Sequence, residues 1–146
     1  MNTHKCFLEA VVIAVTVLFC SCSTGRPVSA SALALCSAYR NDPAAASQVY
    51  NNRIVQVEGI VCNLGNGANT CYVLLSGDVD DHGTDNQVIC NLDRTEVSRL
   101  ATIKQYSRIR LTGKIKESRK YSTGEAVVMV DCKFVDDPQN KISACE

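Results

Sequence analysis

Apolar residues recur every third or fourth position up to Tyr50 and every second position from Arg53 onward. Before the change, Ala32, Leu35, Cys36 and Tyr39 fall at helical spacing, with Ser31 as N-cap and Asn41-Asp42-Pro43 as a stop. A second short helix is predicted over residues 43–51, with Pro43 at the first position, where its missing N–H would have no partner. Ala46, Val49 and Tyr50 supply its buried face. After the change, Val55, Val57, Gly59 and Val61 alternate with Gln56 and Glu58, which predicts a strand over 53–62. Residues 63–69 have the composition of a turn, and 71–75 read as a second strand. A third strand is predicted over 87–92. A helix follows over 95–104, with Val97, Leu100, Ala101 and Lys104 near helical spacing and Glu96 favourable in its first turn. In a fourth strand over 107–116, Ile109, Leu111, Gly113 and Ile115 alternate with Arg108, Arg110, Thr112, Lys114 and Lys116. Residues 121–124 form a turn, and 125–135 the last strand.

Two short helices followed by β-β-β-α-β-β specify an all-β domain with accessory helices. Five strands with a helix between the third and fourth follow the order of the OB-fold, a five-stranded Greek-key barrel. An open antiparallel sheet with a helix on one face would use the same elements. Gly59 and Gly113, each inside a regular strand, point to the sharp bends or bulges of a closed barrel.

The chain has 146 residues, and its first 21 read as an export signal: Lys5, an apolar run over 10–20, then small residues. The run is shorter than the roughly 20 apolar residues that span a bilayer. Residues 22–30 are expected to be a tether, 31–136 the OB-fold domain, and 137–146 a polar tail. Two cleavage sites compete. Phe19-Cys20-Ser21-Cys22 resembles the lipobox of bacterial lipoproteins, which would make Cys22 the lipidated N-terminus; Ala30-Ser31-Ala32 would instead release a soluble periplasmic or secreted product. Fifteen basic and fifteen acidic residues balance. Lys5 and Glu9 leave together with the signal, so no net field draws in a polyanion.

The run Ser37-Ala-Tyr-Arg-Asn-Asp-Pro-Ala-Ala-Ala46, followed by Val49-Tyr50-Asn-Asn-Arg-Ile-Val-Gln-Val-Glu-Gly-Ile-Val61, resembles the opening of the tRNA_anti-like OB-fold family of bacterial lipoproteins. Val88-Ile-Cys90, Ile109-Arg-Leu-Thr-Gly-Lys-Ile115 and Val130-Asp-Cys132 continue the likeness over residues 34–135. The resemblance implies the barrel and an envelope location. It names no ligand.

Candidate chemistry is sparse. If Cys22 carries lipid, Cys36, Cys62, Cys71, Cys90, Cys132 and Cys145 remain, an even number in an oxidising compartment. Cys62 and Cys71 flank the first hairpin loop and would face each other if pairing is symmetric about Asn66-Gly67. Cys90 and Cys132 lie on strands that neighbour each other in an OB barrel, with the parity of Val88 and Leu92 and of Val128, Val130 and Phe134. Small buried hydrophobes are the other reading of both pairs. No Cys-x-x-Cys or paired histidine suggests a metal, and no cofactor is expected. The acidic loop 77–86 begins like a calcium loop, but His82 and Ile89 stand where ligands belong. Arg108, Arg110, Lys114 and Lys116 form an outward basic stripe that could track phosphates. Only Tyr72 lies on the second and third strands as a stacking platform. The chain has no nucleophile–base–acid set. The expected function is a non-enzymatic envelope binding module for a protein, glycan or small molecule, held to the membrane by its lipid. Its ligand face lies between the 63–70 and 117–124 loops, near Tyr72 and Tyr121. Single-stranded nucleic acid on the basic stripe is the alternative.

Overall fold

The computed structural model describes residues 25–66, 70–77, 86–121 and 124–136. Cys22, Cys145, the acidic stretch 78–85 and the tail from 137 lie outside them. In chain order the elements are β1 (Val28–Ser31), α1 (Ala32–Asn41), α2 (Pro43–Tyr50), β2 (Ile54–Asn66), β3 (Cys71–Ser76) and β4 (Asn86–Leu92). A 3-10 turn (Arg94–Glu96), α3 (Val97–Leu100), β5 (Arg108–Tyr121) and β6 (Gly124–Phe134) follow. The strands pair in the order β1-β2-β3-β4-β6-β5, and a β2–β5 pairing closes β2 to β6 into a barrel. The predicted β-β-β-α-β-β order and its OB-fold topology hold.

Alternation builds the interior. Val55, Val57, Val61, Val73, Leu75, Val88, Cys90, Leu111, Val127 and Met129 are fully buried. One end is covered by α1, which inserts Ala32, Leu35, Cys36 and Tyr39. The Ser31 side chain caps this helix by accepting from the Ala34 N–H at 3.1 Å. Asp42 ends α1, and its carboxylate accepts from the Ala45 N–H at 3.0 Å to begin α2. Tyr39 donates to Asn51 Oδ1 at 2.7 Å, and Arg40 hydrogen-bonds Asn86. The helices are therefore part of the core's closure.

Four features depart from the sequence expectation. First, residues 28–30, expected as tether, form with Ser31 the parallel strand β1 against Val55 to Glu58. They fill the edge of β2 that β3, whose pairing starts at Ile60, leaves open. Second, β2 runs to Asn66 and β5 to Tyr121, because their partners β3 and β6 extend equally far. Third, the helix expected over 95–104 shrinks to the 3-10 turn and α3. Leu100 anchors this segment in the core, and Ile103 packs against it. The chain then turns through Tyr106 at φ 65°, whose N–H donates to the Val61 carbonyl at 2.8 Å.

The fourth departure concerns which residues face inward. Between Met129 and Cys132 the register of β6 slips against both β4 and β5, and Asp131 takes φ 54°. Val127 and Met129 therefore share the interior with Val88 and Cys90, while beyond the bulge Cys132 and Phe134 take over. Val128 and Val130, expected on the face of Cys132, do not share it. Val128 pairs with Ile89 on the outer side. Gly113 sits where this bulge passes: a Cβ there would lie 2.7 Å from Cys132 Sγ. Gly59 marks a close approach of β3 and α1, whereas the bulge of β2 falls at Cys62.

Candidate functional site

On β3, Val73 and Leu75 point inward, so Tyr72 and Leu74 point out. Their partners on β4 are Asn91 and Ile89, and Ile89 in turn faces Val128 of β6, beside Glu117 of β5. On this outer side Leu74 and Ile89 are partly exposed, and Val128, next in the row across three strands, is buried. Tyr72 and Asn91 stand at one end, Gln87, Ala126 and Arg119 at the other. Leu74, Ile89, Asn91 and Tyr72 are each partly exposed. Tyr72 is opposite Gly65, and a Cβ at Gly65 would fall 2.1 Å from the phenol ring. The ring thus lies on the bare glycine and is held flat against the sheet. Tyr121 closes the far end, opposite Gly124, with its side chain outside the described residues.

Tyr72 lies on this outer side and Tyr121 at its far end; the neighbouring Leu74 and Ile89 were not among the residues singled out from the sequence. The signal lay in a β2 read too short: once β2 reaches Asn66, Gly65 meets Tyr72, and Leu74 and Ile89 acquire a common side.

The basic stripe keeps its outward parity, and two carboxylates, Glu58 and Asp131, offset part of its charge. Arg108 and Arg110 reach Glu58 of β2 at 3.1 and 3.8 Å. Lys114 stands 3.8 Å from Asp131, and Lys116 is exposed. Near the Tyr121 end of the Tyr72 side, Arg119 pairs with Glu117 at 2.5 Å. Elsewhere Arg99 binds Asp136 at 2.8 Å and lies 4.9 Å over the Phe134 ring. A shallow groove of about 380 Å³ lies away from the Tyr72 face, lined by Ile54, Thr112 and Gly113 and by Lys114, Asp131, Lys133 and Asp93. The Thr95 backbone N–H, and then its hydroxyl, hold the Asp93 carboxyl below the usual carboxylate range.

The cysteines separate into two groups. Cys71 pairs with Asn66, and its thiol donates to Asn66 Oδ1 at 3.0 Å, while Cys62 sits in the β2 bulge and donates to the Ile60 carbonyl. The expected face-to-face Cys62–Cys71 pair is therefore corrected: the extension of β2 to Asn66 moves Cys71 four residues along the ladder from Cys62. Cys36, Cys90 and Cys132 are all fully buried in one core cluster, and the Cys90 thiol is hydrogen-bonded to Cys132. Among the described residues, no group of three or more His, Cys, Asp or Glu side chains is arranged to hold a metal ion, and no helix is long and apolar enough to cross a membrane.

A family model described as tRNA_anti-like matches residues 6–133. Comparison with the curated proteins gives no match. Among solved structures, a "putative nucleic acid-binding lipoprotein" from Klebsiella pneumoniae is similar at 18% identity, with a TM-score of 0.55, over 75% of this chain and 92% of that one. OBody NL8, solved bound to hen egg-white lysozyme, aligns at 17% identity and a TM-score of 0.41, over 57% of this chain and 96% of that one. The asparaginyl-tRNA synthetase of Pyrococcus horikoshii aligns at 11% identity and 0.42, over 60% of this chain and 20% of that one. The likeness to the Klebsiella protein is one of fold.

Proposed function

The chain belongs to the tRNA_anti-like family, and from that membership we propose a non-enzymatic binding domain that takes its ligand across the outer face of β3, β4 and β6. The observation that carries this reading is Tyr72 fixed over Gly65 at the end of the row Leu74, Ile89 and Val128. A ring already immobilised loses little conformational entropy on binding. Leu74 and Ile89 beside it are partly exposed, and Arg119 nearby is already paired with Glu117. Such a face suits an uncharged or weakly charged ligand of the bacterial envelope: an extended protein segment, a glycan or a small molecule.

Two substitutions test the face. Tyr72→Ala should weaken binding about tenfold, near the lower end of what aromatic stacking contributes. Gly65→Ala should weaken it comparably with little loss of stability, because the new Cβ displaces only the far end of a surface side chain. A photo-crosslinker at position 91 in cells expressing the intact chain should yield adducts that these variants remove. Adducts undiminished by either variant would place the ligand elsewhere.

Single-stranded nucleic acid is the second reading, favoured by the Tyr72 platform and by the nucleic acid-binding description of the Klebsiella protein. The ion pairs of Arg108, Arg110, Lys114 and Arg119 oppose it, since each would have to open before a phosphate could be neutralised. An oligothymidylate titration near physiological salt should show no measurable binding. Submicromolar, salt-sensitive affinity would put this reading first.

Attachment through a lipidated Cys22 is the proposed anchor, and β1 supports it. Cleavage after Ala30-Ser31-Ala32 would remove the whole of β1, the Ser31 cap and the fully buried Ala32. Cleavage before Cys22 leaves all three in place. Cys22→Ala should leave the chain unlipidated and its signal uncleaved. An intact mass of the mature wild type that begins at Leu33 without lipid would refute the anchor.

A further inference from the structure

We propose that Cys90 and Cys132 form a disulfide that ties β4 to β6 inside the barrel, made while the domain folds. Five cysteines are described, all as free thiols, and they differ in the groups their thiols engage. Cys71 is on Asn66 and Cys62 on the Ile60 carbonyl, each held locally at the β2–β3 hairpin. Cys36 donates from α1 to the Gln87 carbonyl at 3.4 Å. Cys90 and Cys132 engage each other.

The β6 bulge makes this contact. Cys90 pairs with Met129 and Leu92 with Cys132, so three steps along β6 match two along β4. The extra residue, Asp131 at φ 54°, turns Cys132 inward onto the same side as Cys90. Without the bulge, Cys132 would have the parity of Val128 and Val130, away from Cys90. Gly113 of β5 leaves the space, since a Cβ there would approach Cys132 Sγ to 2.7 Å.

Oxidation follows thiol–disulfide exchange. The thiolate of one cysteine attacks a sulfur of a donor disulfide, carried by an envelope oxidoreductase or a small molecule. That donor S–S bond breaks, and one donor thiol leaves. The second cysteine's thiolate then attacks the mixed disulfide, the Cys90–Cys132 bond forms, and the other donor thiol leaves. The protein gives up two electrons, and the two protons end on the reduced donor. In the closed barrel neither sulfur is exposed. The hydrogen bond to Cys132, burial and the neighbouring thiols also push the Cys90 thiol well above its ordinary range, which removes the thiolate that exchange requires. Exchange therefore belongs to the stage before β6 docks.

The oxidising compartment rests on the export reading; the chemistry is testable apart from it. The full mature chain, denatured and reduced, is refolded in a reduced and oxidised glutathione buffer, alkylated in denaturant and digested before aspartates. Cys90 and Cys132 then lie alone in the fragments 85–92 and 131–135. The expected product is these two fragments joined, with the mass of an intact disulfide. The oxidised form should melt at least about 10 °C above the reduced form. Protein folded first under reductant and then given oxidised glutathione should remain unlinked over hours. Both fragments alkylated after refolding, or either one joined to the fragment carrying Cys36, would overturn the pairing. Rapid linking of the folded protein would overturn the timing. Reduced thiols in cell-derived protein alongside a disulfide after refolding would count against export alone.

Discussion

Gly59→Val should destabilise the domain by about 3 kcal/mol and lower its melting temperature by more than about 12 °C, or stop it folding. Valine favours strands, so intrinsic propensity predicts the opposite sign. Packing decides. A Cβ at position 59 would lie 2.8 Å from the Ser76 carbonyl oxygen, 3.0 Å from Leu75 Cβ and 3.1 Å from Ala32 Cβ. The first of these is backbone of β3 and cannot swing aside, and the third belongs to α1. Relief would require the strand and helix to move away from β2 together, opening the interior. Thermal unfolding followed by circular dichroism measures the loss. A variant within 1 kcal/mol of the wild type would show that α1 and β3 are not seated against β2 as described.

Leu35→Ala should cost about 3 kcal/mol, although Leu35 belongs to a helix outside the five-stranded barrel. Its side chain is fully buried, in one cluster with Val57, Leu75, Val88 and Met129. Removing it leaves a cavity between the helix and the barrel end, which the strands cannot collapse to fill because their ladders fix their spacing. Val49→Ala on α2 is the matching control. Val49 is 46% exposed, and its truncation should change stability by less than about 0.5 kcal/mol. Equal effects of the two substitutions in a denaturant titration would make α1 an appendage.

The order of elements was legible because alternation on a barrel strand is enforced by water on one side and core on the other. Val55, Val57 and Val61, and Ile109 and Leu111, announced their strands through that constraint alone. The strand β1 was not legible, because Val28-Ser-Ala-Ser31 is too short to carry a period and its identity comes from the vacant edge of β2. In β6 the run Ala126 to Val130 is apolar without interruption, so its parity could not be read. Only Asp131 in a left-handed conformation discloses where the inward face changes. The same limit misplaced the cysteines. A turn symmetric about Asn66-Gly67 would set Cys62 against Cys71, whereas a strand four residues longer sets Asn66 there. Of the proposed binding face, Tyr72 is visible in the sequence as an aromatic in a strand. The glycine beneath it was assigned to a loop, and with it went the reason the ring stays put.

The position of β1 has a mechanical consequence. It runs parallel to β2 and is the first strand after the tether, so a pull on the tether enters the domain at Val28 and points back along the strand axis. Its four residues then carry the load in shear, with their ladder bonds strained together instead of opening one after another. Failure under such a force is set by an unfolding rate and not by equilibrium stability.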